Sequence, residues 1–408
     1  MGGRKTEIAA QQPKLWNSNY IKVWLVNFML HFAFTLIVPL LPLYLSENFG
    51  ADKHMIGLCL AGYTIMAIVI RPFSGYIVDN FPRKTVLMIF SFLFALVFGG
   101  YVIAGSLLVF TIFRTLHGLP FGALTVSANT VAIDVLPAER RVEGIGYYGL
   151  SNNIATVIGP AAAIFVLEAS GHNFQVLFWL SLVMAVGCLF IASSVKLKKK
   201  EIKAPTKTVL SLDRFFLTNC WREAFSLVFL AVAHGIMQTY VAIYGKEELG
   251  IMQGTGLFFS LFAIGLIVSR LTGAHALRKN KVSRNASMGV LISLCGYLLF
   301  ASVHTLPAYY ITAFIVGMGN GHMWPAYQTM FVNLAENNKR GTAISSILTS
   351  WDFGGGMGIL LGGVLADASL STFCNYHTAF WAAFIFEAIG VSCYFSFVRA
   401  HFEKNKLR

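Results

Sequence analysis

Runs of about 20 apolar residues, the length that crosses a hydrocarbon layer, recur twelve times between residues 21 and 398. They fall at 21–45, 56–78, 85–104, 107–130, 143–168, 174–195, 222–245, 255–276, 286–303, 306–332, 342–367 and 377–398. Inside lipid a backbone must satisfy its own N–H and C=O groups, so runs of this length are helices. The expected fold class is therefore an all-α polytopic membrane protein with twelve transmembrane helices. Charge supports this, because Asp, Glu, Lys and Arg make up 12% of the 408 residues, about half the usual share in a soluble domain of ~25%.

The charges that remain are sorted by loop. If the N-terminus faces the cytoplasm, 26 of the 31 Lys and Arg fall in cytoplasmic segments and two, Lys53 and Lys246, fall outside. The other three, Arg71, Arg114 and Arg270, lie within apolar runs. This bias orients both termini toward the cytoplasm. The net charge of +13 is then a topological signal, and nucleic-acid binding is set aside. The first apolar run is too long for a cleaved signal, so none is expected. Cys59, Cys188, Cys295 and Cys393 sit in apolar runs, and Cys374 alone reads as an outer-loop cysteine. With no CxxC or metal spacing, neither a disulfide framework nor a metal site is expected. The longest polar stretch, "KLKKKEIKAPTKTVLSLDRFFLTNCWR", divides the chain. The expected organisation is an N-terminal segment (1–20), a first bundle (21–195), a linker (196–221), a second bundle (222–398) and a tail (399–408).

A shift of 199 residues lays the second bundle on the first without gaps. Gly57 meets Gly256, Arg71 meets Arg270, Gly118 meets Gly317, Gly122 meets Gly321, Arg141 meets Arg340 and Gly159 meets Gly358. Apolar matches between membrane helices carry little information. An intramembrane arginine falling on another is informative, since each costs at least ~3 kcal/mol at the centre of a span. Two pseudo-symmetric six-helix bundles in parallel orientation are implied, with a substrate site near the midplane between them.

These features resemble the major facilitator superfamily. The loop after the second run carries G-x-x-x-D-x-x-x-R-K as Gly75, Asp79, Arg83 and Lys84, with Pro82 where the family has a further glycine. The fourth run carries R-x-x-x-G-x-x-x-G as Arg114, Gly118 and Gly122. The fifth carries Gly159-Pro160, an element of the family's antiporters, although alanines replace some of its glycines. The resemblance is to proton-coupled drug and metabolite efflux members. It implies that the loop charges, with Arg71 and Arg270, form a gating latch that closes and parts during transport, the plainer alternative being a topology signal with a helix cap. The second half keeps Arg270 but has no acid where Asp79 would recur, so the latch would be lopsided.

Ionisable groups at membrane depth are the functional candidates. Arg114 resembles the family's proton-transfer arginine; its alternative is a partner for backbone carbonyls. Asp352 lies about ten residues into its span, ~15 Å deep, either as a proton or substrate site or in a fixed salt bridge to Arg270 or Arg71. Arg71 and Arg270 either pair structurally or bind an anionic group. Glu387, His31 and His322 complete the coupling candidates, the alternative for His31, His234 and His322 being hydrogen-bonded packing. The resemblance implies that helices 1, 4, 7 and 10 line a cavity, whose candidate residues are Asn27, His31, Asn152, Asn153, His234, Gln238, Tyr240, Asn320, His322, Trp324, Tyr327, Gln328 and Trp351. Such a lining suits a small amphipathic or zwitterionic organic solute, and equally suits interhelical hydrogen bonding.

No GxxxxGK[ST] occurs, so an ion gradient rather than ATP is expected to supply the energy. The expected function is secondary transport in a bacterial cytoplasmic membrane by a monomer without cofactor, as proton/solute antiport. The rivals are a proton-coupled symporter importing a sugar, organic acid or other metabolite, and a non-transporting membrane sensor or scaffold.

Overall fold

The computed structural model describes residues 14–51, 53–197, 215–251, 256–278, 281–366 and 375–407. For some helical positions, Arg270 among them, only the backbone is described. Cys374 lies outside the described residues. Among the described cysteines, Cys59, Cys188, Cys295 and Cys393 are free.

The first membrane rod is α1 (Ser18–Ile37) continued through a 3-10 turn into α2 (Leu41–Phe49). The break falls at Pro39, which lacks the N–H that a continuous helix would donate. Then follow α3 (Lys53–Asn80), α4 (Arg83–Ile103), α5 (Leu107–Val135), α6 (Arg141–Ala169) and α7 (Phe174–Ser194). The second half holds α8 (Trp221–Glu247), α9 (Gly256–Arg278), α10 (Val282–Ser302), α11 (Leu306–Leu334), α12 (Arg340–Ala366) and α13 (Tyr376–Cys393). A π-turn at Tyr394–Val398 leads from α13 into the short α14 (Arg399–Asn405). No strand occurs among the described residues.

The internal repeat survives in the helix boundaries. Helices α4 and α10 start at Arg83 and Val282, α5 and α11 at Leu107 and Leu306, and α6 and α12 at Arg141 and Arg340, so each pair keeps the same offset. The caps repeat too: Ser106 accepts from the Val109 N–H at the start of α5, as Thr305 does from Ala308 at the start of α11. The chain forms two six-helix bundles, as the repeat implies. They meet along two equivalent seams, α3 against α12 and α9 against α6.

Within each bundle, glycines let one helix lie on another. A methyl group on Gly118 would overlap the Tyr63 carbonyl of α3, and one on Gly317 would overlap the Phe262 carbonyl of α9. Among the described residues, eight helical segments meet the length and hydropathy of a self-sufficient span. Helices α3, α9, α11 and α12 are outside that set. For α11 and α12 the reason is polar content: α11 carries Asn320, His322 and Asn333, and α12 carries Asp352 with a run of glycines. Three of these four build the seams, so their polar groups face protein rather than lipid.

Candidate functional site at the seam between the bundles

The α3–α12 seam carries charge at two depths. At membrane depth, Arg71 Nη2 lies 2.9 Å from Asp352 Oδ2, one residue from each half. Arg71 stands nine residues before the end of α3, ~14 Å along its axis. Its Nε and Nη1 are buried and have no hydrogen-bond partner among the described residues. Asp352 is less enclosed, with 25% of its side chain exposed. The sequence left two partners open for Asp352, and the pairing is with Arg71. The Arg270 side chain lies outside the described residues.

Aromatic and amide groups flank this pair. On the second half, Trp351 packs edge-on against Trp324 with ring centroids 5.0 Å apart, and the His234 ring lies 5.0 Å from Trp351. His234 Nδ1 is 3.2 Å from Asn320 Nδ2. On the first half, the His31 ring meets Phe121 edge-on at 5.9 Å, while His31 Nδ1 lies 2.9 Å from the Asn27 carbonyl. Between the halves, Gln328 donates to Asn129 Oδ1 at 2.8 Å across an offset of 199 residues. Repeat-equivalent positions thus touch, as they do only beside a pseudo-twofold axis. Asn152, Asn153 and Gln238 are half-buried.

The second charged layer closes the end of the seam that carries the termini. Asp79 accepts hydrogen bonds from the backbone N–H of Gly341 and of Thr342, both 2.8 Å, and from Thr342 Oγ1 at 2.9 Å. A carboxylate from one half therefore caps the first turn of α12 in the other, where the helix dipole favours negative charge. Arg83 pairs with Asp79 at 3.3 Å and with Asp134. Arg340 binds Asp134 from the opposite half at 2.8 Å. Gly75 lets the helices approach, since a side chain there would meet Ser345 and the Gly341 carbonyl oxygen. Lys84 is exposed and stands outside this network of ion pairs.

Other candidates are held elsewhere. Arg114, 3% exposed, lies inside the first bundle over the rings of Tyr63 (4.3 Å) and Phe34 (5.4 Å). Its Nε and Nη1 also have no partner among the described residues. The neighbouring His117 Nδ1 lies 2.8 Å from the Tyr101 hydroxyl. His322 faces away from the seam: its Nδ1 is 2.9 Å from Asn285 Oδ1 and its Nε2 is 3.2 Å from Thr272 Oγ1. Tyr327 is fully buried and hydrogen-bonds Ser226 at 2.8 Å within the second bundle. Tyr240 donates to the Ile359 carbonyl at 2.8 Å, and Asn27 to Ser151 Oγ at 2.7 Å. Glu387 is 2% exposed on α13, with no ion pair among the described residues. Gly122 packs on Ala67 and Ile70 of α3, and Gly159, beside Pro160, packs on Thr35 of α1.

Asp134, Arg340 and Thr342 were not expected from the sequence in this layer of ion pairs, nor was Asn129 as the partner of Gln328. Arg340 had a signal, as the repeat mate of Arg141. Asn129 had one as well, being the repeat mate of Gln328. Asp134 had none beyond its place at the end of α5.

Comparison with known proteins agrees with this architecture. The sequence profile described as Major Facilitator Superfamily matches residues 23–359 and 284–408. The multi-drug resistance efflux pump PmrA of Streptococcus pneumoniae is 22% identical over 94% of this chain and 96% of its own length. The quinolone resistance protein NorA of Staphylococcus aureus is 24% identical over 90% of this chain and 91% of its own. Among solved structures, the human organic anion transporter MFSD10 (TETRAN) superposes with a TM-score of 0.76 at 14% identity, covering 90% of this chain and 98% of that one.

Proposed function

The chain belongs to the Major Facilitator Superfamily, and from that premise we propose that it exports a small organic solute across a bacterial cytoplasmic membrane in exchange for protons. The observation that carries this reading is the Arg71–Asp352 pair, which ties one bundle to the other at membrane depth. Asp352 can accept a proton, whereas an arginine keeps its charge. A proton on Asp352 removes the Coulombic part of the tie and leaves a hydrogen bond. A solute that engages Asp352 does the same, so proton and solute compete for one group, as exchange requires.

The layer at the terminal end supplies the gate. Asp79 on the first turn of α12, and Asp134 shared by Arg83 and Arg340, hold that end of the seam closed. The lysine and arginine bias assigns this end to the cytoplasm, so the conformation described here is closed inward. Rocking of the bundles about the Asn129–Gln328 contact would open it. Arg114, a fixed positive charge over Tyr63 inside the first bundle, is a candidate for assisting proton transfer without itself carrying the proton. The multi-drug efflux for which PmrA is named and the quinolone resistance for which NorA is named, with Gly159-Pro160 of α6, favour export over import.

Purified protein in proteoliposomes tests the proposal. Solutes that raise its melting temperature are loaded inside, and a pH gradient, acid outside, is imposed. The solute is expected to leave as protons enter. Solute and proton moving in the same direction would replace this reading with symport, and no response of any binding solute to the gradient would remove it.

A further inference from the structure

Granted the exchange of solute for protons proposed above, the seam also selects the solute. Every charge that enters it must cross the bilayer with it. The tied pair Arg71–Asp352 is neutral as a unit. A cation added to it makes the solute-loaded seam positive, and an anion makes it negative. A solute bearing one charge of each sign leaves the seam neutral.

The free valences of the pair point the same way. Arg71 is 6% exposed, and its Nε and Nη1 are buried donors without partners among the described residues. Buried donors of this kind are costly unless an acceptor meets them. Asp352 shares Oδ2 with Arg71 and is a quarter exposed, so the carboxylate is open to a second donor. Acceptor-seeking and donor-seeking atoms thus lie side by side, with the two charged groups only 2.9 Å apart. That spacing matches an ammonium and a carboxylate on neighbouring atoms, not charges at opposite ends of a long molecule. Beside Asp352 stands the Trp351–Trp324 pair with His234, and the His31–Phe121 pair belongs to the other half. Flat rings of this kind favour an aromatic body.

We propose that the solute is an aromatic zwitterion with an amino-acid-like head, its ammonium on Asp352 and its carboxylate on Arg71. The ammonium competes with the proton for Asp352, and the carboxylate occupies the donors of Arg71. Only the proton-loaded leg then carries net charge, so each cycle of one proton against one solute moves one positive charge inward.

Three indoles test this: L-tryptophan (zwitterion), tryptamine (cation) and 3-indolepropionate (anion), each radiolabelled inside proteoliposomes with acid outside. Tryptophan is expected to leave about tenfold faster than either analogue, the scale of one well-made charged hydrogen bond. An inside-negative potential should accelerate it further. In Asp352→Asn the preference should move toward 3-indolepropionate; in Arg71→Gln/Asp352→Asn, which keeps the seam neutral if the single variant folds poorly, it should vanish. Tryptamine leaving as fast as tryptophan, without a voltage effect, would overturn the zwitterion and keep the exchange. If none of the three responds to the gradient, the head-group assignment falls, while the exchange itself is judged by the pH response of the distance between the halves.

Discussion

Arg71 and Asp352 lie 2.9 Å apart across the seam of the two bundles, and the repeat gives this pair no carboxylate counterpart. At the 199-residue offset Arg71 answers to Arg270, but Asp352 answers to Asn153. The gate follows suit, because Asp79 and Asp134 answer to Arg278 and Asn333. Asp79 and Asp352 thus lie on α3 and α12, with Asp134 on the adjoining α5, whereas their repeat mates on α9, α6 and α11 are an arginine and two amides.

Neutralising Asp352 separates its two roles. Asp352→Asn removes the anion from a pair whose arginine is buried, a change that costs about 3–5 kcal/mol in a fully enclosed site. With Asp352 a quarter exposed, the expected loss is toward the lower end, about 3 kcal/mol or less. Thermal unfolding in detergent measures it, and Arg71→Gln/Asp352→Asn should regain most of the loss. Flux in Asp352→Asn should no longer respond to a pH gradient. A wild-type melting temperature in the single variant would show that the pair does not tie the halves.

The gate gives a population shift. Asp79→Ala removes the cap on α12 and the contact with Arg83. Loss of a helix cap costs about 1 kcal/mol, or roughly fivefold in the ratio of closed to open forms. Distances between spin labels on exposed Lys84 of the first half and exposed Glu336 of the second, each replaced by cysteine, should lengthen on the terminal face. Unchanged distances would remove Asp79 from the gate.

Gly75 tests the closure sterically. A methyl group there would press on Ser345 and on the Gly341 backbone oxygen, so Gly75→Ala should disfavour the closed seam without touching a charge. Gly99 has open space where its side chain would grow, so Gly99→Ala should behave as wild type. Alkylation rates at a cysteine placed on the terminal face compare the two. Equal rates would contradict the packing account.

Acid sensitivity at the other face should centre on His304. It lies between α10 and α11, its ring centroid 3.8 Å from that of His377, whose Nε2 is 3.1 Å from Glu248 Oε2. Burial, and then the neighbouring His377, hold the His304 imidazole below its usual range, with Glu248 opposing. A depressed folded value means that the unfolded chain takes up the proton first. Stability from this group is then present above the ordinary value of about 6.5 and is lost as pH falls below it. Melting temperature against pH should fall less steeply in His304→Gln. An identical slope would place the sensitivity elsewhere.

The sequence carried the helices and the repeat well, because both are written in local pattern. Arg83 and Val282, or Leu107 and Leu306, start helices at the same offset that the glycines and arginines reveal. Orientation within the bundles was harder to read. Helix α11 is enclosed on nearly all sides, so polar residues occur all round it and no periodic face marks the cavity. Hence Asn320 and Gln328 point toward the centre, while His322 and Tyr327, on the same helix, bond inward to their own bundle. Contacts across the halves, such as Asp79 on Gly341, depend on how two bundles dock, which local pattern does not encode.

The central claim is that a proton on Asp352 loosens the tie between the bundles. Spin labels on cysteines replacing Gly105 and Val303, in the loops after α4 and α10, report the distance between the halves on the face away from the termini. In wild-type protein the distance distribution should shift as pH is lowered from about 8 to about 5, and in Asp352→Asn it should stay fixed over that range. An Asp352→Asn protein that keeps the wild-type pH response would contradict the account.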